Sequence, residues 1–243
     1  MRLTRVYVEA PLIQGSTVTL PPDTASHLAK VLRARSGDEL ILFNGDGHES
    51  SGSIEAVRGS RVSASVGERS PVDRESPLAI TLIQCVPRGD RMDFIVQKAT
   101  ELGVARLVPV LSQRSVVRID KAQAQSKATH WRAVAVSACE QCGRNRLPAI
   151  EPAQPLLDYL GKPALCTARL VFEPQAAAHP QTANLSGPVV EIAVGPEGGF
   201  TSDELEAFRL AGFRQTPLGP RILRSETAAI AALVWLQGRF GDL

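Results

Sequence analysis

The sequence predicts an α/β protein whose mostly parallel sheet is preceded by a small β-rich domain. After residue 77, strand and helix patterns alternate, which is the order of a parallel sheet covered by helices. Before residue 72, short strand candidates recur between turn signals. The polar segment RSPVDRESP, residues 69–77, has two prolines and separates the two regions as a linker. We therefore predict two domains, residues 1–72 and residues 73–243.

The β-rich domain contains five strand candidates and one helix. The strand candidates are RVYVEA, TVTL, ELILFNG, SGSIEAV and RVSASVGE, and the Asn-Gly and Asp-Gly steps in FNGDGHE predict a tight hairpin. The helix is DTASHLAKVLRAR, whose spacing brings Lys30, Arg33 and Arg35 near one another. Together these elements predict a barrel-like sheet.

The second domain begins with a strand, a helix and a strand: LAITLIQCV, DRMDFIVQKATEL and ARLVPVLS. A long helix at about residues 121–143 follows. Three further strand candidates are ALCTARLVF, VVEIAVG and FRQTPLG, and the last helix begins at about Ser225. Trp131 and Trp235 lie in apolar helical patterns, so we expect them in the core or at a subunit contact.

Composition favours a globular protein without a membrane span. Hydrophobic residues make up 44% of the chain, and there is neither an apolar run of membrane-spanning length nor an export signal, so we expect a cytoplasmic protein. Cys139 and Cys142 have Cys-x-x-Cys spacing, but a zinc site would need two more ligands nearby. Because this pair lies in a predicted helix, we expect two small buried side chains and no metal.

Positive charge is concentrated in one segment. Residues 88–146 hold 11 Lys and Arg against 5 Asp and Glu, whereas residues 1–75 hold 9 against 10. Such a local excess is typical of a face that binds a polyanion, because Lys and Arg neutralise phosphates. A solvated helix surface would give the same count.

The stretch AVGPEGGFTSDELEAF, residues 193–208, predicts a strand that turns sharply into a helix. Thr201 and Glu204 have the spacing of a capping box, which starts the helix. The turn lacks the Gly-Lys-Ser/Thr and Gly-x-Gly-x-x-Gly orders of phosphate loops, and Glu197 would repel phosphate. A neutral heterocycle or a sulfonium ligand therefore suits the turn better, if it is more than a tight connection.

A second strand end with glycine and proline follows about twenty residues later, in FRQTPLGPRILRSETAAIAALVWL. Ser225 or Thr227 can cap the Ala-rich helix that comes next. Two such strand ends on neighbouring strands would offer backbone donors and acceptors to one flat ligand.

Several ordered motifs make the chain resemble one family. They are HLAKVLRARSGDELILFNGDG, PRGDRMDFIVQKATELGV, EQCGRNRLP, VGPEGGFTSDELEAF and LGPRILRSETAAIAAL, and together they cover nearly the whole chain. The sequence is similar to the RsmE family of 16S ribosomal RNA methyltransferases. The resemblance implies a SPOUT-type knotted parallel-sheet methyltransferase domain preceded by a small PUA-like β-barrel domain that binds RNA. It also implies S-adenosylmethionine as methyl donor, a homodimer, and N3-methyluridine in the small-subunit RNA as product.

The resemblance also implies which residues form the site. The donor is expected to be held by two segments, with ARLVFEP as a looser third wall; the donor-binding residues are Gly195, Pro196, Glu197, Gly198, Gly199, Leu218, Gly219, Leu223, Arg224 and Thr227. Contacts to 16S ribosomal RNA are expected from Lys30, Arg33, Arg88, Lys98, Arg114 and Arg144, unless these are solvated charges. Glu140 and Gln141 are expected either to bind the uracil edge or to anchor Arg144.

The catalytic candidates are Arg224 and Glu226. Methyl transfer from a sulfonium needs alignment rather than a metal, and the negative charge that develops on uracil favours a nearby cation, for which Arg224 is the first choice. Arg224 could instead pair with Glu226 or with a backbone carbonyl and shape the loop. Glu226 or Glu197 could take the N3 proton, yet a carboxylate in a first helical turn is also favoured by the helix dipole, so we expect neither to be strictly required.

Three other functions compete. Another SPOUT methyltransferase, acting on a guanine or a ribose of tRNA, would keep the donor segments and change the RNA-facing residues. A non-catalytic RNA-binding factor would have little reason to keep the donor motifs. A Rossmann-type nucleotide binder is disfavoured by the missing phosphate fingerprint.

Overall fold

The computed structural model describes residues 3–163, 166, 168–176, 185 and 187–243. It divides into two compact units: unit 1 comprises Met1–Glu75 and Val136–Leu147, and unit 2 comprises Ser76–Ala135 and Pro148–Leu243. Whereas the sequence predicts two continuous domains, the segment Val136–Leu147 groups with the N-terminal part.

Unit 1 is built on a five-stranded sheet with one helix. Its strands are β1 (Thr4–Tyr7), β2 (Thr17–Thr19), β3 (Glu39–Phe43), β4 (His48–Arg58) and β5 (Arg61–Pro71), and its helix is α1 (Pro22–Lys30). The sheet order is β1-β3-β4-β5-β2, and only the β1–β3 pair is parallel. All five predicted strands are present, while closure into a barrel stays a prediction.

Alternation explains the sheet of unit 1. In β5, Val62, Ala64 and Val66 are buried and the residues between them are more exposed, which is the period of a strand with one covered face. The β3–β4 hairpin turns at Gly45 and Gly47, whose φ angles of 91° and 90° require glycine. Because β5 continues to Pro71, the linker is shorter than predicted.

Unit 2 has a parallel sheet. Its strands are β6 (Ala79–Cys85), β7 (Arg106–Leu111), β8 (Ala149–Ile150), β9 (Gln154–Pro155), β10 (Ala168–Phe172), β11 (Val189–Val194) and β12 (Arg214–Thr216). The order is β12-β10-β11-β6-β7-β8, with β9 also paired to β7, and every pair is parallel. The helices are α2 (Arg91–Glu101), α3 (Lys121–Cys142), α4 (Leu156–Leu160), α5 (Ser202–Leu210) and α6 (Ser225–Phe240). The last turns of α3, from Val136, belong to unit 1.

Helices cover both faces of this sheet, which confirms the α/β prediction. Leu82 packs in the cluster that includes residues of α2 and α6, whereas its neighbour Ile83 packs in the cluster that includes residues of α4 and α5. A strand that is covered on both faces has a nearly continuous apolar sequence, as LAITLIQCV has. Trp131 is 2% exposed, and Trp235 packs edge-on against Phe172.

Two expectations concern residues outside the described part. The strand candidate ALCTARLVF begins at Ala168 in the structure, and its residues 164, 165 and 167 are not described. The connection from β10 to β11 includes residues 177–184 and 186, which are not described either. The trefoil knot therefore stays a prediction.

Candidate active site

Three strands of unit 2 deliver three loops to one edge of the sheet. Phe172, the last residue of β10, is paired with Val194 on one side and with Thr216 on the other. The chain segments after β10, β11 and β12 therefore leave the sheet at the same level, where parallel sheets commonly bind ligands. The sequence predicts that the ends of β11 and β12 are neighbours, and the structure places β10 between them.

Residues 195–199, which we call the donor turn, connect β11 to α5 with little free space. A Cβ atom at Gly195 would lie 3.1 Å from Cε2 of Phe200, so a larger residue would push the ring aside. Gly199 has a φ of +68°, and its N–H donates to the carbonyl of Pro196 at 3.0 Å. The local geometry thus favours glycine at both positions.

The helix after the donor turn begins with the predicted capping box. Oγ1 of Thr201 accepts from the backbone N–H of Glu204 at 3.3 Å, and the backbone N–H of Thr201 donates to Oε2 of Glu204 at 2.9 Å. Oε1 of Glu204 also accepts from the backbone N–H of Gln113 at 2.7 Å. This last contact fixes the start of α5 to the loop after β7.

Arg114 holds the donor turn from the same loop. Its Nη1 donates to the carbonyl of Gly198 at 3.0 Å and to that of Phe200 at 3.3 Å. A Cβ atom at Gly198 would lie 3.2 Å from Cβ of Arg114, so the two chains approach closely. Arg114 is exposed, and the sequence analysis predicts that it contacts RNA. In the structure its guanidinium also holds the donor turn.

Glu197 and Glu226 share one arginine. Nη1 of Arg91 lies 3.0 Å from Oε1 of Glu197, and Nε of Arg91 lies 3.8 Å from Oε1 of Glu226. The backbone N–H of Arg88 donates to Glu197 at 3.3 Å as well. Among the described residues, Oε2 of Glu226 is buried without a hydrogen-bond partner. The alternative pairing of Arg224 with Glu226 is not what the structure contains, since Arg91 takes that place.

Residues 217–224, the donor loop, follow β12 and border a small cavity. The cavity measures about 30 Å³ and is lined by Phe172, Glu173, Pro174, Leu218, Arg221, Leu223 and Ala228. Gly219 has a φ of +116°, which favours glycine at that position. Residues of ARLVFEP thus line the same cavity as the predicted Leu218 and Leu223.

Arg224 and Thr227 flank the start of α6 and are both exposed. Arg224 is the N-cap residue, and its side chain makes no capping hydrogen bond. The predicted capping by Ser225 or Thr227 does not occur, because the hydroxyl of Ser225 bonds elsewhere.

One buried polar residue near the donor turn, Gln84, was missed by the sequence analysis. Gln84 at the end of β6 is fully buried and bonds to Ser225, which in turn bonds to the carbonyl of Gly195. The available signal was a polar residue inside the apolar run LAITLIQCV. A glutamine buried in a central strand needs partners, and these were not visible in the sequence.

The basic residues of unit 2 differ in their surroundings. Arg88 is exposed. Lys98 lies on α2 and pairs with Glu101, with Nζ at 2.8 Å from Oε1. A partly exposed i,i+3 pair of this kind is worth little, and the lysine remains partly accessible to another anion.

In unit 1, Lys30 and Arg33 are exposed, but Arg144 is not. The Arg144 side chain is 5% exposed and forms an ion pair with Glu75, with Nη2 at 2.5 Å from Oε2. Burial works against its charge, yet the bonds to Glu75 raise the pKa of Arg144 overall. In this structure the Arg144 guanidinium is buried against Glu75 and does not face solvent, so its contact with RNA phosphate stays a prediction.

Glu140, for which the sequence left open a contact with uracil or with Arg144, and the nearby Asn145 both bond within unit 1. Oε1 of Glu140 accepts from the backbone N–H of Tyr7 at 3.0 Å, and burial raises the pKa of this carboxyl. Oδ1 of Asn145 accepts from Nη2 of Arg5 at 2.5 Å, and Nδ2 donates to the carbonyl of Val72 at 2.8 Å. These bonds explain why Val136–Leu147 groups with the N-terminal part.

No cluster of three potential metal ligands occurs in the part of the chain that the structure describes. A hydrogen bond with Cys142 and burial together raise the pKa of the Cys139 thiol, which disfavours a thiolate ligand. Among the described helices, none combines the length and apolar character needed to cross a bilayer.

Two family models match the chain. One, described as an RNA methyltransferase domain, covers residues 74–237, and one, described as an RNA methyltransferase PUA domain, covers residues 20–66. The chain is 32% identical to the ribosomal RNA small subunit methyltransferase E of Buchnera aphidicola subsp. Schizaphis graminum, over 100% of the chain and 98% of that protein. It is 30% identical to the protein of that name in Bacillus subtilis, over 96% of the chain and 93% of the relative.

Two solved structures agree closely in fold. A ribosomal RNA small subunit methyltransferase E from Neisseria gonorrhoeae, bound to S-adenosyl methionine, has 38% identity and a TM-score of 0.90. A protein of Legionella pneumophila, in complex with the bound cofactor SAM, has 38% identity and a TM-score of 0.95. In both comparisons 100% of each chain is covered.

Proposed function

The chain is a member of the ribosomal RNA small subunit methyltransferase E (RsmE) family, and we propose that it transfers the methyl group of S-adenosylmethionine to N3 of one uridine in 16S ribosomal RNA. The observation that carries the proposal is the meeting of three loops at one sheet edge, after β10, β11 and β12. These loops include the two segments that the family resemblance assigns to the donor.

The residues present fit this donor. A residue larger than glycine at position 195 would press against Phe200, and the turn lacks a phosphate loop, which is consistent with a donor that carries no phosphate. A carboxylate in the turn, Glu197, suits a sulfonium cation. We propose that the donor is held by Gly195, Pro196, Glu197, Gly198 and Gly199 of the donor turn, and by Leu218, Gly219, Leu223, Arg224 and Thr227 around the donor loop.

When bound, the donor supplies a methyl group on a sulfonium, ready for in-line displacement. The protein has to hold uracil N3 in line and stabilise the negative charge that spreads onto O2 and O4 as the N3 proton leaves. Arg224 suits this role, because it is the last residue of the donor loop, is exposed, and makes no ion pair within the described residues. Glu226 offers Oε2 as an acceptor for the proton, and water can replace it.

RNA contacts are proposed for the accessible cations. These are Lys30 and Arg33 in unit 1, and Arg88, Lys98 and Arg114 in unit 2. The target nucleotide has to leave its stack for N3 to reach the methyl group, since base pairing would cover that atom. We further propose the assembled small subunit as substrate, a homodimer as the active form, and the cytoplasm as the location.

The proposal is tested by incubating the protein with labelled S-adenosylmethionine and small subunits from a strain that lacks the modification, followed by nucleoside analysis. N3-methyluridine in 16S ribosomal RNA is the expected product. Another methylated nucleoside would overturn the N3 assignment, and label that appears only with tRNA would favour the tRNA-modifying alternative. If the protein does not bind the donor, this result would favour the alternative that it is a non-catalytic RNA-binding factor.

A further inference from the structure

A chain of hydrogen bonds runs from the end of β6 to both donor segments. Nε2 of Gln84 donates to the carbonyl of Cys85 at 2.8 Å and to Oγ of Ser225 at 2.9 Å. Oγ of Ser225 donates to the carbonyl of Gly195 at 2.8 Å. The Ser225 hydroxyl carries one proton, which is committed to Gly195, so its oxygen must accept from the Gln84 amide. The direction of every bond is therefore fixed.

The chain begins on a rigid element and ends at the donor site. Gln84 lies in a central strand, where it is paired with Val194 of β11 and Pro109 of β7. Gly195 opens the donor turn, and Ser225 directly follows the donor loop. One amide thus sets the distance between the two segments.

The two side chains of this hydrogen-bond chain are buried, so the loss of one bond should be costly in free energy. Gln84 is 0% exposed and Ser225 is 4% exposed, so neither can exchange its partner for bulk water. Within the described part of the chain, Oε1 of Gln84 is buried with no hydrogen-bond partner, as is Oε2 of Glu226 next to Ser225. If the Gln84 side chain served packing alone, we would expect both Nε2 and Oε1 to have hydrogen-bond partners.

We propose that Gln84 is a positioning residue of the donor site, which acts through Ser225 to hold the carbonyl of Gly195 and the start of α6 at the spacing that the donor needs. The inference depends on the proposed function, because it assumes that S-adenosylmethionine is the ligand. Gln84 is not assigned a contact with the reacting atoms.

The chain offers a matched control on the same helix. Gln237 on α6 is 1% exposed, its Nε2 donates to the carbonyl of Leu102 at 2.8 Å, and its Oε1 accepts from Oγ of Ser76 at 2.6 Å. It therefore also joins a carbonyl and a serine, but near the far end of α6 from the donor loop. Gln84→Met and Gln237→Met remove comparable bonds at nearly constant volume.

The experiment is calorimetric titration of S-adenosylmethionine into the wild type and each variant, together with their thermal unfolding. We expect both glutamine variants to unfold at lower temperature, with Kd raised at least about tenfold in Gln84→Met and changed less than about twofold in Gln237→Met. Equal Kd values in the two variants would overturn the inference while leaving the proposed function intact. A wild type that does not bind the donor would overturn both.

Substitutions at Ser225 give an independent test if Gln84→Met does not fold. Ser225→Ala removes the middle of the chain and should raise Kd by a similar factor, whereas Ser225→Thr keeps the hydroxyl and should restore most of the affinity. In the double variant Gln84→Met/Ser225→Ala, the two effects should not add, because both break one chain. Fully additive effects, or a Ser225→Ala variant with wild-type affinity, would contradict the positioning role.

Discussion

Nη1 of Arg114 donates to the carbonyl of Gly198 at 3.0 Å, so a side chain from the loop after β7 fixes the turn after β11. Arg114→Ala removes the hydrogen bonds to the carbonyls of Gly198 and Phe200, so we expect it to loosen the donor turn. A loss of about 1 kcal/mol would weaken donor binding about fivefold. The matched control is Arg118→Ala, an exposed arginine of the same loop, which should leave the donor Kd unchanged. Calorimetric titration checks both, and equal donor affinity in the two variants would contradict this role for Arg114.

Two glycines should respond to alanine in opposite directions. Gly199 has a φ of +68°, and a Cβ atom there would meet nothing within 4 Å, so Gly199→Ala should cost about 1–2 kcal/mol through the backbone alone. Gly238 lies inside α6, where the nearest atom to a new Cβ is 3.9 Å away, so Gly238→Ala should stabilise the protein by roughly 0.5–1 kcal/mol. Thermal unfolding of the pair measures both, and a destabilised Gly238→Ala would show that the helix end is not as open as this reasoning assumes.

Substitution of Arg88 and substitution of Arg144 should have different effects on RNA binding and on stability. Arg88→Ala should reduce the slope of log affinity against log salt for RNA by about one, because one phosphate contact is lost, without changing stability. Arg144→Ala should cost roughly 3 kcal/mol of stability by leaving Glu75 without its partner, and should leave the salt slope unchanged. RNA binding at several salt concentrations and urea unfolding separate the two effects. A stable Arg144→Ala variant with a flatter salt slope would return Arg144 to the RNA interface.

Acid should weaken the contact between Arg5 and Glu49 in unit 1. Burial alone would raise the pKa of Glu49, but hydrogen bonds from Arg5 and Arg74 outweigh it, so the pKa lies below its ordinary value. The stabilisation is therefore fully present above the unfolded pKa of about 4.3 and is lost as the pH falls through the lower folded value. We expect Glu49→Gln to cost about 2 kcal/mol at pH 7 and less as the pH approaches 3, measured by urea unfolding. A cost that does not change with pH would contradict the assignment.

Arg224 and Glu226 should differ in importance for turnover. Arg224→Ala should lower kcat by about a hundredfold if its charge stabilises the uracil anion, and Arg224→Lys should recover part of it. Glu226→Gln should remain active, because water can accept the N3 proton and the carboxylate is also favoured by the start of α6. Single-turnover rates at saturating donor distinguish these effects from binding. Loss of turnover in a folded, donor-binding Glu226→Gln variant would make Glu226 the base.

Local signals in the sequence were sufficient where a few neighbouring residues decide the structure. The Thr201–Glu204 capping box was predicted because both partners lie within one helical turn. The strand LAITLIQCV was predicted from its apolar run, and its burial on both faces explains that run. Neither prediction required knowledge of a distant residue.

The sequence says less where the partner of a side chain is distant. The charge count and the family motif both suggest Arg144 for the RNA, and neither can show that Glu75 pairs with it inside the protein. For the same reason Gln84 was passed over, since its partner Ser225 is far away along the chain and becomes a neighbour only in the folded sheet. The predicted knot would depend on threading rather than on local pattern, so it is expected only from the family resemblance.

The discontinuous unit 1 has a consequence for synthesis on the ribosome. Chains begin to fold at their N-terminal part while they emerge from the ribosome. In this protein, however, Arg5 bonds to Asn145 and Glu75 pairs with Arg144, and both of these partners are synthesised much later. The sheet of unit 1 therefore leaves the ribosome early without the residues that complete its buried charges. The N-terminal part of unit 1 is thus synthesised first, but the unit is complete only after residues up to Leu147 have been translated.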